Sequence, residues 1–194
     1  MRWVAVLLIL SLAAACAHAQ TGALLHAAES LDGVSLAMGA GYDESRLFLS
    51  HAAEHVAEGA AAIGAVSRAP EDATGSTYVS FMVNIEPTDF TEQALVFDAA
   101  SSTPGQSKGF YVRGYNEAGA MVLSWMTWSA ELPEEVATIH LTPGADGDGL
   151  AWEPGRIESD DHSAVTRLEF IVGTREPGAH FNLIIDSIRA SIAR

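Results

Sequence analysis

The sequence predicts an all-β domain, a sandwich or barrel of short strands, and three observations carry that expectation. Apolar residues recur mostly with period two rather than 3.6, Pro and Gly interrupt the chain about every 10 to 20 residues, and the stretches STPGQSKG, YNEAGA, TPGADGDG and REPGA concentrate turn-forming residues. The length, 194 residues, suits one domain with a sizeable core.

The first twenty residues, MRWVAVLLILSLAAACAHAQ, set Arg2 before an apolar run over 4–15 and the small-x-small triplet Ala17-His18-Ala19. That pattern predicts a signal peptide over 1–19, a mature domain over 20–194 and a secreted or periplasmic protein. Lipoprotein processing at Cys16 is the less favoured outcome, because Ala13 stands where a lipobox usually has Leu. Cys16 is the only cysteine, so an exported chain has no intrachain disulfide to hold it. No later apolar run is long enough to be read as a transmembrane segment, and a monomer is expected.

The strands follow in order. LLHAAESLD, 24–32, is the first candidate, and an apolar run over 60–66 follows Glu58-Gly59. In STYVSFMVNI, 76–85, Val79, Phe81, Val83 and Ile85 form a core face, while Tyr78, Ser80, Met82 and Asn84 form a mixed one. Further strands are read at 93–98, 109–115, 121–129, 136–141, 166–172 and 180–188.

The formal charge of −15 makes nucleic acid and anionic lipid poor partners, and it fits a neutral or cationic ligand or simple solubility. Lys108 is the only lysine, and the arginines are spread along the sequence with no cluster to track a phosphate backbone. HAAEH, 51–55, spells the HxxEH pattern of inverted zincins, with His51 and His55 as ligands and Glu54 as base if the segment is helical. Ser50 and Gly59 would allow about two helical turns. A zinc site also needs a third ligand, and the downstream Glu131, Glu134 and Glu135 sit in a Pro-containing turn rather than a ligand helix, so no zinc is expected. Asp146 and Asp148 have EF-hand-like spacing but no bidentate Glu at the required distance, which makes GADGDG a turn.

The most informative strand is GFYVRGY. Alternation puts Phe110, Val112 and Gly114 on one face and Tyr111, Arg113 and Tyr115 together on the other. Sugars present an apolar C–H face and a rim of hydroxyls, which flat rings flanking a planar multidentate donor match on both counts. Trp125 is the expected addition to that platform. Trp128 falls on the opposite face of an ideal strand, so at most one of the two joins unless a bulge intervenes. Glu169 could share the polar face with Arg113, and His140 alternates with Ile139 and Leu141, so an acid/base pair is imaginable, but nothing in the spacing singles these residues out, and no Ser nucleophile elbow, P-loop or dinucleotide fingerprint is present.

The order EHVAEGAAAIGAV, YVSFMVNIEP, LPEEVATIHLTP, VTRLEFIVGT and FNLIIDSIRA resembles the jelly-roll carbohydrate-binding modules of the galactose-binding-like superfamily, over about residues 22–191. Its most specific pieces are the closing Ile-Asp-Ser-Ile-Arg and the Glu58-Gly59 step. The resemblance implies a jelly-roll β-sandwich, a loop rather than a helix at HAAEH, and a structural calcium between the first and last strands, with Glu29 and Asp186 at the matching positions. Together these readings give a noncatalytic carbohydrate-binding domain contacting ligand through Tyr111, Arg113, Tyr115 and Trp125. A small polysaccharide-active hydrolase or lyase on the same fold, or a protein-interaction domain, is the alternative.

Overall fold

The computed structural model describes residues 22–39, 42, 44–128 and 131–192. The expected signal peptide, 1–19, and Cys16 lie outside the described residues. The strands run in the order β1 (Ala23–His26), β2 (Val34–Leu36), β3 (Arg46–Ser50), β4 (Ala62–Arg68), β5 (Thr77–Thr88), β6 (Gln93–Ala100), β7 (Gly109–Asn116), β8 (Met121–Thr127), β9 (Ala137–Leu141), β10 (Ala151–Trp152), β11 (Val165–Thr174) and β12 (His180–Ile192). A three-residue 3-10 turn, Ala53–His55, is the sole helical element among the described residues, and no helix there is long and apolar enough to cross a membrane.

All strand pairs are antiparallel and form two six-stranded sheets packed as a jelly-roll sandwich. The first sheet runs β3-β4-β12-β6-β9, with β1 added to β12, and the second runs β10-β8-β7-β11-β5-β2. Alternation explains the layering: each strand presents every second side chain inward, so Val79, Phe81 and Val83 of β5 are fully buried, as are Val112 of β7 and Leu168 and Phe170 of β11. Phe97 crosses from the first sheet and places its ring 5.0 Å from Phe170 and 6.2 Å from Phe110, edge-on to both. Such perpendicular pairs hold the sheets in register by the ring quadrupoles as well as by buried area.

The first candidate strand, 24–32, is interrupted: β1 stops at His26, whose Nδ1 accepts the Ala28 N–H, and Ala28 turns with φ 59°. The left-handed residue takes the chain out of the β region, and no ladder pairing follows it in this stretch. HAAEH is also resolved by the backbone. Its 3-10 turn does not put His51 and His55 on one helical face; His55 is buried with Nδ1 2.8 Å from Ser50 Oγ, while exposed His51 has Nδ1 2.7 Å from the Ala60 carbonyl. Val56 of the same loop packs with Phe48, Ala62, Ala100, Val136 and Ile184 on the outward side of the first sheet. The segment's apolar residue covers that sheet.

Candidate functional site

The outward face of the second sheet gathers polar and aromatic residues carried by, or directly following, β5, β7, β8 and β11. Tyr111 of β7 lies opposite Ile171 of β11, Arg113 opposite Glu169, and Tyr115 opposite Arg167. On the other side of β11, Gly173, Ile171, Glu169 and Arg167 pair with Tyr78, Ser80, Met82 and Asn84 of β5. Because side chains at paired positions share a face, one surface carries all of these groups.

Glu169 is the centre of that surface and is only 2% exposed. Its Oε1 accepts the Ser80 hydroxyl at 2.7 Å, its Oε2 accepts the Tyr115 hydroxyl at 2.7 Å, and Arg113 Nη1 stands 3.8 Å from Oε2. A buried carboxylate needs such partners, and each partner is fixed in turn. Burial and the bond to Glu169 push the Tyr115 phenol well above the usual tyrosine range, so it stays protonated and donates. Arg113 lies with its guanidinium carbon 5.6 Å from the Tyr111 ring centroid, and its buried Nε–H has no hydrogen-bond partner among the described residues.

Beside this polar centre is an aromatic corner. Tyr78, Tyr111 and Trp128 stand 5.8 to 6.3 Å apart, each ring nearly perpendicular to the others, and the Trp128 indole N–H donates to the Tyr111 hydroxyl at 2.6 Å. Burial, then the bond to Tyr78, raises the Tyr111 phenol to about 12. Two glycines paired across β7 and β11 make room for the rings: a Cβ on Gly109 would lie 2.7 Å from Trp128, and one on Gly173 would lie 2.8 Å from Tyr78. The rings therefore lie against bare backbone, a reason for glycine inside two strands that otherwise weaken with it. Gly109→Ala should lift the Trp128 ring with little loss of stability, since the obstructed atoms belong to a side chain at the edge of the face. The expected result is a red-shifted tryptophan emission with a melting temperature within a few degrees of the parent; an unchanged spectrum would mean that the ring is not seated on Gly109.

The structure corrects one sequence-based assignment. Trp125 is fully buried, pairs with Val112 in the core layer, and donates its indole N–H to the Ala145 carbonyl, so it does not reach the outward face. Trp128, three positions on and opposite in parity, is the tryptophan that joins Tyr111. Trp152 stacks edge-on against Trp125 at 4.9 Å and belongs to the same inner layer. Of the expected ligand residues, Tyr111, Arg113 and Tyr115 do share a face, and alternation in β5 and β8 was the signal that would have added Tyr78 and Trp128.

Glu29 and Asp186, the carboxylates that the resemblance assigns to calcium, both grip the 57–60 loop. Asp186, fully buried at a bulge in β12, accepts the N–H groups of Ala57, Glu58 and Ser187 at 2.8, 3.0 and 2.7 Å. Glu29 Oε1 accepts the Ala60 N–H at 2.8 Å beside Gly59, whose φ is 75° and where a Cβ would collide with the carboxylate. Glu58 pairs with Arg189. N–H donors repel a cation, and no group of three or more His, Cys, Asp and Glu side chains converges to hold a metal among the described residues. As arranged, these residues do not fit a calcium cage. Asp146 and Asp148 likewise cap backbone, accepting the N–H groups of Trp152 and His140, as a turn requires.

No protein-family model and no curated protein sequence matches this one. Solved structures do match in fold. A family 11 carbohydrate-binding module of the cellulosomal cellulase Lic26A-Cel5E of Clostridium thermocellum superposes with TM-score 0.58 at 11% identity, covering 89% of this chain and 95% of that one. A family 11 module from the same organism, in complex with a β-1,3-1,4-mixed-linked tetrasaccharide, gives TM-score 0.59 at 13% identity over 88% and 95%. An exo-β-agarase gives 0.59 at 14% identity, where the match covers 89% of this chain but 25% of the enzyme. The chain is thus similar in fold to β-sandwich carbohydrate-binding modules.

Proposed function

We propose that this chain is an exported, noncatalytic carbohydrate-binding domain whose ligand lies across the outward face of the second sheet. The observation that carries the reading is the juxtaposition, on one sheet face, of an aromatic corner (Tyr78, Tyr111, Trp128) and a hydrogen-bonded polar centre (Arg113, Tyr115, Glu169). Rings offer the apolar side that a pyranose C–H face packs against, and a guanidinium and phenol held in place offer donors without first losing side-chain entropy. Fold likeness to a module solved with a bound tetrasaccharide supports the same reading.

A noncatalytic role follows from the carboxylates. Glu169 is enclosed by Ser80, Tyr115 and Arg113, and Glu153, at the far side of β8 on the same face, accepts the Ser124 hydroxyl. Neither acid is free to protonate a leaving group or attack an anomeric carbon. The test is a pull-down of the mature chain on a panel of insoluble and immobilised polysaccharides, with a reducing-end assay on each polymer that retains it. Retention without new reducing ends is expected. Retention of none by a folded chain contradicts the binding reading, and release of reducing ends contradicts the noncatalytic one.

A further inference from the structure

The proposed ligand face differs in charge from the rest of the molecule. The chain holds 25 acidic and 10 basic residues, and exposed acids such as Glu117, Asp146, Asp148, Glu158, Asp160 and Asp161 occupy its turns. The outward face of the second sheet instead sets Arg113, Arg167 and Arg175 against Glu153 and Glu169, both of which are engaged, and against Glu86 at the far end of β5. Arg113 is the partner of Glu169. Arg167 and Arg175 form no ion pair or hydrogen bond with any described residue.

Each of those two arginines is instead held over a ring of the face. The Arg167 guanidinium carbon is 5.9 Å from the Tyr115 ring centroid, and that of Arg175 is 4.1 Å from the Trp128 centroid. Stacking on a ring orients the guanidinium and leaves its N–H fork open at the edge, the geometry that takes a carboxylate or sulfate with two bonds. Arg167 lies near the start of β11 and Arg175 just past its end, about 25 Å apart by strand rise, so one extended chain crossing the face would meet both. Where acids outnumber bases by more than two to one, two ring-mounted arginines with no acceptor among the described residues are donors open to something outside the chain.

We infer that the glycan taken by this face is anionic, carrying carboxylate or sulfate groups that meet Arg167 and Arg175. This rests on the carbohydrate reading above and reverses the expectation of a neutral or cationic ligand drawn from net charge alone, because a local arrangement of donors outweighs a mean charge screened over roughly 10 Å at ordinary ionic strength.

The test compares four polymers by affinity electrophoresis and calorimetry on the mature chain: agarose and mixed-linked β-glucan as neutral probes, carrageenan as the sulfated one, polygalacturonate as the carboxylated one. At low salt, at least one anionic polymer should bind about tenfold or more tightly than either neutral polymer, and raising the salt severalfold should erase that margin. Which of the two binds identifies sulfate or carboxylate as the group read. Arg167→Gln and Arg175→Gln should each weaken that binding by about tenfold, the effect of one charge-assisted pair, with the melting temperature unchanged. Equal or tighter binding of a neutral polymer, or an anionic affinity indifferent to both substitutions, overturns the inference and leaves carbohydrate binding standing. No retention of any of the four by a folded chain removes both.

Discussion

Glu169→Ala is expected to lower folding stability by about 3 kcal/mol, roughly 6 to 12 °C in Tm for a domain of this size, and to weaken ligand binding with it. The carboxylate is buried, and its loss strands three donors at once: the Arg113 guanidinium, the Tyr115 hydroxyl and the Ser80 hydroxyl. Breaking a buried pair from one side costs more than the pair contributes, because the remaining charge keeps its desolvation penalty. Glu169→Gln should cost less than half as much, since it preserves shape and one acceptor while removing the charge opposite Arg113. Thermal unfolding of both variants checks this. A melting temperature for Glu169→Ala within a degree of the parent would mean that water reaches the pair freely and that the polar centre is an ordinary surface feature.

A loss of about 3 kcal/mol is also expected for Asp186→Ala, from the other side of the molecule. Three backbone N–H groups close on this carboxylate, and removing it leaves all three without their acceptor at about 1 to 3 kcal/mol for each that stays buried, offset by the desolvation of the carboxylate that is no longer required. That desolvation dominates: burial raises the Asp186 carboxyl above the ordinary range despite the three bonds, with the Asp98 charge adding to the rise. A carboxyl raised on folding takes up its proton at higher pH in the native state than in the unfolded one. Its term is therefore fully present below the ordinary carboxylate value and is lost as pH rises through the native value. The Asp186→Ala deficit should accordingly be larger near pH 4 than at pH 8. Since N–H donors already occupy the carboxylate, chelator should leave the parent melting curve unchanged. A calcium-dependent rise in Tm that disappears in Asp186→Ala would show that the 57–60 loop rearranges to accept the ion.

The contrast between these two acids marks what a sequence can disclose. Alternation within one strand was enough to group Tyr111, Arg113 and Tyr115 and to put Glu169 opposite Leu168 and Phe170, because the side-chain period of a strand is fixed by its backbone. It could not show that β11 lies between β5 and β7, which is what brings Tyr78 and Ser80 to the same place. Sheet order is a long-range property, set by how two layers bury their faces. Trp125 was assigned outward for a related reason: parity separates it from Trp128 but does not say which parity is the core, and only pairing with Val112 decides. Sequence reading misses β2, β3 and β10, because three, five and two residues are too few to establish a period. Asp186 enters the sequence reading as a position that the resemblance assigns to calcium; that its partners are backbone N–H groups, two of them from the segment after HAAEH, depends on a loop conformation that no local pattern encodes.

Carbohydrate binding by the outward face is tested most directly by measuring polysaccharide affinity and unfolding free energy on the same two variants, Tyr111→Ala and Trp128→Ala. Both rings are partly exposed and sit over the sheet rather than within the sandwich. Each truncation should weaken binding by about 1 to 3 kcal/mol, as removal of an interface hot spot does, at a smaller cost in stability. A cost of about 3 to 5 kcal/mol in folding, typical of a buried aromatic, with affinity unchanged in the fraction that remains folded, would contradict the claim and make the aromatic corner a second packing layer of the sheet.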